Sequence, residues 1–331
     1  MRKNKYLFIF LLFGFLSVLY LGSCGNRFRV DISDIPPANV QIQRYEKALF
    51  AEDLNAERVE FLREEFPLFL GDLPLDSIQR RQLMSYVSDP FLQKVYAQTE
   101  KVFPNLDIQN RELSEAFTYV KYYFSDFKYP SVYSYLSGVQ DHVFYQDQIV
   151  MVSLDHFLGY DNEIYHQLNI PRYKQASMSQ EYISKEVILA IAKTYIPQID
   201  ADANLLEQMI YNGKLLFFVK SMLPEISEEV LSAYTKEQLE WIQSKESDLW
   251  RYYMENELLY KTDFMVSNKF IKDGPFTSVL GDDSSPRTGI WLGYRIVLSY
   301  MNHQDKSLQA LILNKDAQLI LQQSAYKPAR N

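Results

Sequence analysis

Apolar positions recur with two periods along the chain, and the most regular helical pattern covers two consecutive segments, Ser179 to Ile196 and Asp202 to Leu223. In the first, Ile183, Val187, Ala190, Ile191 and Thr194 form a mostly apolar stripe at helical spacing. Ser177 with Gln180 fits a capping box, and Pro197 marks the stop. In the second, Leu205, Leu206, Met209, Ile210, Gly213, Leu216 and Phe217 share the period between Asp202, the expected N-cap, and Pro224. A glycine inside so regular a pattern costs ~1 kcal/mol relative to alanine, so Gly213 calls for a tight helix crossing or a functional backbone approach.

Elsewhere the period shifts twice. Val40 and Ile42 alternate with glutamines, which predicts a short edge strand over Asn39 to Tyr45. Helices follow from Asn55, from Asp89-Pro90 and over Asp107 to Phe127. After Pro130 the strand period takes over in Ser131 to Ser137, Val143 to Tyr145 and Gln148 to Leu154. Beyond Gly159 the chain reads as helical again. Thr235 with Gln238 opens a long helix, Ile290 to Asn302 forms the last major one, and the loops are Asp273-Gly274-Pro275 and Gly281 to Pro286. The expected class is α+β, mainly helical, with a small mixed or antiparallel sheet between helical blocks.

Composition narrows the function more than the fold. A net charge of −8 without a basic run beyond the first five residues argues against nucleic acid as a partner. Arg2, Lys3 and Lys5 precede an apolar run from Tyr6 to Tyr20 and then Leu21-Gly22-Ser23-Cys24. This resembles a lipoprotein signal, 1–23, cleaved before an acylated Cys24, whose chains anchor the protein to a membrane. The other reading is an uncleaved anchor. Residues 24–37, closed by Pro36-Pro37, read as a lipidated tether. The rest, 38–331, is expected as one globular unit with a mainly helical lobe over 38–128 and a second lobe over 129–331. Gly25 to Arg29 lack an acidic cluster, which by resemblance to sorting patterns in envelope lipoproteins implies the periplasmic face of an outer membrane over surface display.

Several chemistries can be tried on these residues. A sheet followed by two packed helices is the order found in zincin peptidases, which place His, Glu and His on one helix. Here Lys185-Glu186-Val187-Ile188-Leu189 stands in that place without either histidine. An unconventional metal site would have to draw on His142, His156 and His166. Glu181, Glu186 and Glu207 leave paired carboxylates open. The chain lacks a phosphate loop and a G-x-S-x-G elbow, and acylation of the only cysteine removes thiol chemistry. The 25 Tyr, 21 Phe and 3 Trp could include a glycan-stacking platform, although most sit at core spacing. Gly289 and Gly293 allow close approach of the last major helix, and Arg287 and Arg295 beside them could anchor a carboxylate of this chain or of a partner.

Read together, the lipobox at Cys24, Arg44 to Phe50, Met209 to Lys214, Gly289 to Val297 with Tyr300-Met301, and Tyr326-Lys327-Pro328 resemble the gliding-motility-associated lipoprotein B family, in the same order. The resemblance implies an envelope lipoprotein that serves gliding motility and the associated protein secretion as an interaction or assembly component. Its zincin-like core would then be without catalysis or cofactor. Alternatives are a metallopeptidase and a periplasmic glycan-binding module. Candidate partner-binding residues are Tyr211, Gly213, Lys214, Arg287 and Arg295. The chain departs from the family at Pro286-Arg287, where a glycine is expected directly after the proline.

Overall fold

A computed structural model describes residues 28–50 and 54–328, so the lipobox and Cys24 lie outside the described residues. The first helical block comprises α1 (Tyr45–Phe50), α2 (Ala56–Glu65), α3 (Pro67–Leu70), α4 (Ser77–Val87), α5 (Pro90–Val102) and α6 (Asp107–Tyr123). Asn55 and Asp89 cap α2 and α5 as their sequence positions predict.

The sheet is small and mixed, in the order β1 (Gln43–Arg44), β2 (Ser131–Tyr135), β4 (Ile149–Ser153), β3 (Val143–Gln146). The first two pairings are parallel and β3–β4 is an antiparallel hairpin. Asp147 and Gln148 turn that hairpin with positive φ, which matches the twist of the strands it joins.

The predicted strand at 39–45 is shorter than the alternation implied. The backbone N–H groups of Ala38, Val40 and Ile42 donate to Thr118 Oγ1, Ser114 Oγ and Asn110 Oδ1 at 3.1, 3.0 and 2.9 Å. These acceptors stand one turn apart on α6, so an extended segment is paired to helix side chains instead of a strand. Tyr45 already belongs to α1 and stacks on Phe69 at 4.0 Å. The described part of the expected tether lies on the body as well. Phe28 packs on Phe217 with ring centres 5.2 Å apart, and Arg29 approaches Glu225 at 3.7 Å.

Short helices α7 (Glu163–Gln167) and α8 (Arg172–Gln175) lead to the central pair, α9 (Ile183–Tyr195) and α10 (Leu205–Met222). Ser177 does not cap α9, which opens through a 3₁₀ turn at Gln180–Tyr182. The N-cap of α10 is Asn204 instead of Asp202, in a capping box with Glu207. Thirteen of the eighteen α10 residues are buried, the mark of a helix surrounded by others. The chain then forms α11 (Glu228–Ser232), α12 (Lys236–Glu255), α13 (Phe264–Ile271), α14 (Thr288–His303), α15 (Leu308–Leu313) and α16 (Ala317–Ser324). Thr235 and Gln238 cap α12 reciprocally. One cluster of buried apolar side chains runs from Ala38 to Ile320, with α10 against α14 as its largest helix contact.

Candidate functional site

The α10–α14 contact explains Gly213. A Cβ built there would overlap the Gly293 carbonyl, and one on Gly293 would overlap the Met209 carbonyl. Backbone cannot yield as a side chain can, so both positions need glycine for the crossing. Gly213 therefore faces the core. Gly289 is tight against α13, where a Cβ would stand 3.0 Å from Ile271 Cδ1 and 3.1 Å from the Phe270 carbonyl.

Tyr211 and Lys214, one turn apart on α10, are turned toward the loop after α9 and the corner between α15 and α16. A cavity of about 340 Å³ opens there, lined among others by Asp200, Asp202, Tyr211, Lys214, Ile312 and Lys315. Lys214 is only 6% exposed, and its Nζ donates to the Asn314 carbonyl. No carboxylate among the described residues forms an ion pair with it, and burial alone pushes its ammonium down to about 8. An ammonium has three donors, so one carbonyl leaves two for the cavity.

The arginines are occupied within the chain. Arg295 Nε lies 3.2 Å from Glu246, which also accepts from Trp291 Nε1 and the Tyr326 hydroxyl, each at 2.9 Å. Two family words, Gly289 to Val297 and Tyr326 to Pro328, thus meet at an acid that no local pattern singles out. Arg287 approaches Asp273 at 3.3 Å, donates to the Ala233 carbonyl at 2.7 Å and lies over the Tyr234 ring. Its φ of +53° is in the left-handed region, which accounts for the glycine expected after Pro286. The first word folds the same way. Arg44 bonds Glu46, Glu100 and the Phe103 carbonyl at 2.7, 2.6 and 2.7 Å, and Ser134 donates to Glu46 at 2.7 Å. Burial raises the Glu46 carboxyl, and those donors oppose the rise.

On α9, Lys185 is buried with Nζ 3.1 Å from Glu186. Burial pushes the Glu186 carboxyl up, but the Lys185 ammonium, with His142 and Lys193, outweighs it and holds the group below its ordinary range. His142 and His156 come together beside it, ring centres 5.4 Å apart. Burial and His142 lower the His156 imidazole to about 4, and its Nδ1 is buried without a partner. His166 pairs instead with Asp161 at 2.9 Å. Among the described residues no group of three or more His, Cys, Asp or Glu is placed to hold a metal ion. Of the other carboxylates considered, Glu207 is used in the α10 cap and Glu181 accepts from Ser179. The exposed Tyr122, Tyr160 and Tyr260 stand on separate segments, and no ring contact joins any two of them.

No helix among the described residues is long and apolar enough to cross a membrane. The family described as gliding motility protein GldB matches residues 25–328. No curated protein and no solved structure matches the chain. The match covers nearly the whole chain, so this is a gliding-motility-related lipoprotein of the cell envelope, and it belongs to the gliding motility protein GldB family.

Proposed function

We propose that the protein is a non-catalytic interaction or assembly component of gliding motility and the associated protein secretion. It is held through acylated Cys24 on the periplasmic face of the outer membrane. In this reading a zincin-like helical core serves as scaffold. The carrying observation is the Lys185–Glu186 pair at 3.1 Å, in which an internal ammonium occupies the carboxylate that hydrolysis would need as general base. Glu246 and its three donors turn other polar residues to architecture as well. Deleting the gene is expected to impair colony spreading or protein secretion, and a Glu186→Gln copy to restore both. Failure of Glu186→Gln, with the protein present at normal level, overturns the reading.

The neighbouring imidazoles of His142 and His156, ring centres 5.4 Å apart, are the observation behind a second reading, a metallopeptidase with an unconventional site. Stoichiometric zinc in the purified protein, lost from a His142→Ala and His156→Ala double variant, would establish it.

A further inference from the structure

We infer that the cavity beside α10 is a binding site for a small zwitterion, an amino acid or short peptide whose carboxylate is taken by Lys214. It rests on the reading that this protein acts by binding, and it names a ligand class for one surface.

Lys214 makes the case first. A buried ammonium without an anion is an unfavourable arrangement, and a side chain kept for packing alone would be served as well by methionine. Its one bond is to the Asn314 carbonyl at the end of α15, and its remaining donors open on the cavity. A carboxylate there would supply the missing charge and accept two charge-assisted hydrogen bonds.

The other lining residues decide what must accompany that carboxylate. Asp200, Asp202 and Glu207 stand against Lys214 and Lys315, so the cavity lining carries a net −1, three carboxylates against two ammoniums. That balance repels a dianion such as phosphate, and it suits a ligand that brings its own ammonium to the acidic wall. Asp200 and Asp202 are exposed at the mouth, and neither offsets the shift of Lys214, so the opposite charges are held apart across the cavity. Ile199, Ile210, Ile312 and Ala317 complete the lining with small apolar surface that fits short aliphatic side chains. A volume of about 340 Å³ is at the lower end of the roughly 300 to 1,000 Å³ of small-molecule sites.

Calorimetric titration of the detergent-solubilised, full-length lipoprotein with L-alanyl-L-alanine, acetate and inorganic phosphate at pH 7 tests this. Alanylalanine is expected to bind. Affinity should fall at least tenfold in Lys214→Met and severalfold in the Asp200→Asn, Asp202→Asn double variant, with acetate and phosphate weaker on the wild type. If Lys214→Met does not fold, protection of Lys214 from acetylation by alanylalanine in the wild-type protein, read by mass spectrometry, gives the same decision. Absence of alanylalanine binding, binding indifferent to Lys214, or phosphate binding as tight as the dipeptide overturns the inference. Recovery of intact dipeptide keeps the non-catalytic reading separate from this one. Cleavage would overturn that reading and leave the site standing, whereas no binding would remove only the site.

Discussion

Tyr326 donates its hydroxyl hydrogen to Glu246 Oε1 at 2.9 Å, joining residues eighty positions apart. With Trp291 and Arg295 on the same carboxylate, Glu246 ties α12 and α14 to the C-terminal segment. Burial pushes the Tyr326 hydroxyl far up, and the charge of Glu246 adds to it, so the phenol stays protonated as a donor. Removing the acid leaves the enclosed Trp291 and Tyr326 donors without an acceptor and the half-buried Arg295 without its ion-pair partner. Glu246→Ala is expected to lower stability by about 3 kcal/mol, since orphaned buried donors and a lost ion-pair partner each cost on the order of 1 to 3 kcal/mol. Urea unfolding reads this, and a loss under about 0.5 kcal/mol would reduce the cluster to surface decoration.

The α10–α14 crossing yields a comparison between two glycines. A methyl group on Gly293 meets the Met209 backbone, while one on Gly289 meets chiefly the flexible end of Ile271 and the Phe270 carbonyl at 3.1 Å. Gly293→Ala should destabilise by about 3 kcal/mol or more, near the upper range for overpacking, and Gly289→Ala by clearly less. Equal thermal unfolding of the two variants would contradict the geometry.

Lys214 should weaken the fold it belongs to. Its folded value of about 8 lies below the ordinary 10.5, so between these the unfolded chain holds more protons and stability rises with pH. Below about 8 the penalty is fully present, and above 10.5 it is gone. Lys214→Met is therefore expected to stabilise the protein at pH 7 by about 2 kcal/mol, the desolvation penalty less one hydrogen bond. The gap should close as pH passes from 8 to 10.5. A destabilised Lys214→Met across that range refutes the account.

His156 acts at the opposite end of the scale. Its imidazole falls from the ordinary 6.5 to about 4, so the unfolded chain gains the proton first and stability drops as pH descends between those values. His156→Gln should flatten that part of the profile. Glu186, also held low, supplies a further acid-side loss that the variant retains.

Arg287 separates strain from contact. Its φ of +53° costs a non-glycine residue roughly 1 to 2 kcal/mol, and both Arg287→Ala and Arg287→Gly lose the Asp273 and Ala233 partners. Only glycine relieves the backbone. Arg287→Gly should be the more stable of the two by about 1 kcal/mol in chemical denaturation.

The helices with strong local signals were legible in the sequence. Asn55, Asp89 and the Thr235–Gln238 box cap where their spacing indicates, and Gly213 marks a tight crossing. What failed was choice among equivalent local signals. Asp202 and Asn204 are both good caps, and only Asn204 finds Glu207 three residues on. Val40 and Ile42 have a strand's alternation, but their hydrogen-bond acceptors are helix side chains about seventy residues away. The Glu246 cluster and the Lys214 cavity were illegible for the same reason, since their partners are brought together only by tertiary packing. Tyr211 and Lys214 could be picked out by motif, yet not Asp200, Ile312 or Lys315 across from them.

The ladder of Asn110, Ser114 and Thr118 has a mechanical consequence. The segment from Ala38 to Ile42 is clipped to α6 at every second residue, and β1 continues the line by pairing with β2. A pull along that segment from an anchored N-terminus loads these attachments in parallel, as shear, instead of peeling them one at a time. Force that passes the Phe28–Phe217 contact would be spread by this ladder into α6 and the sheet together, so the segment would hold until several attachments fail at once.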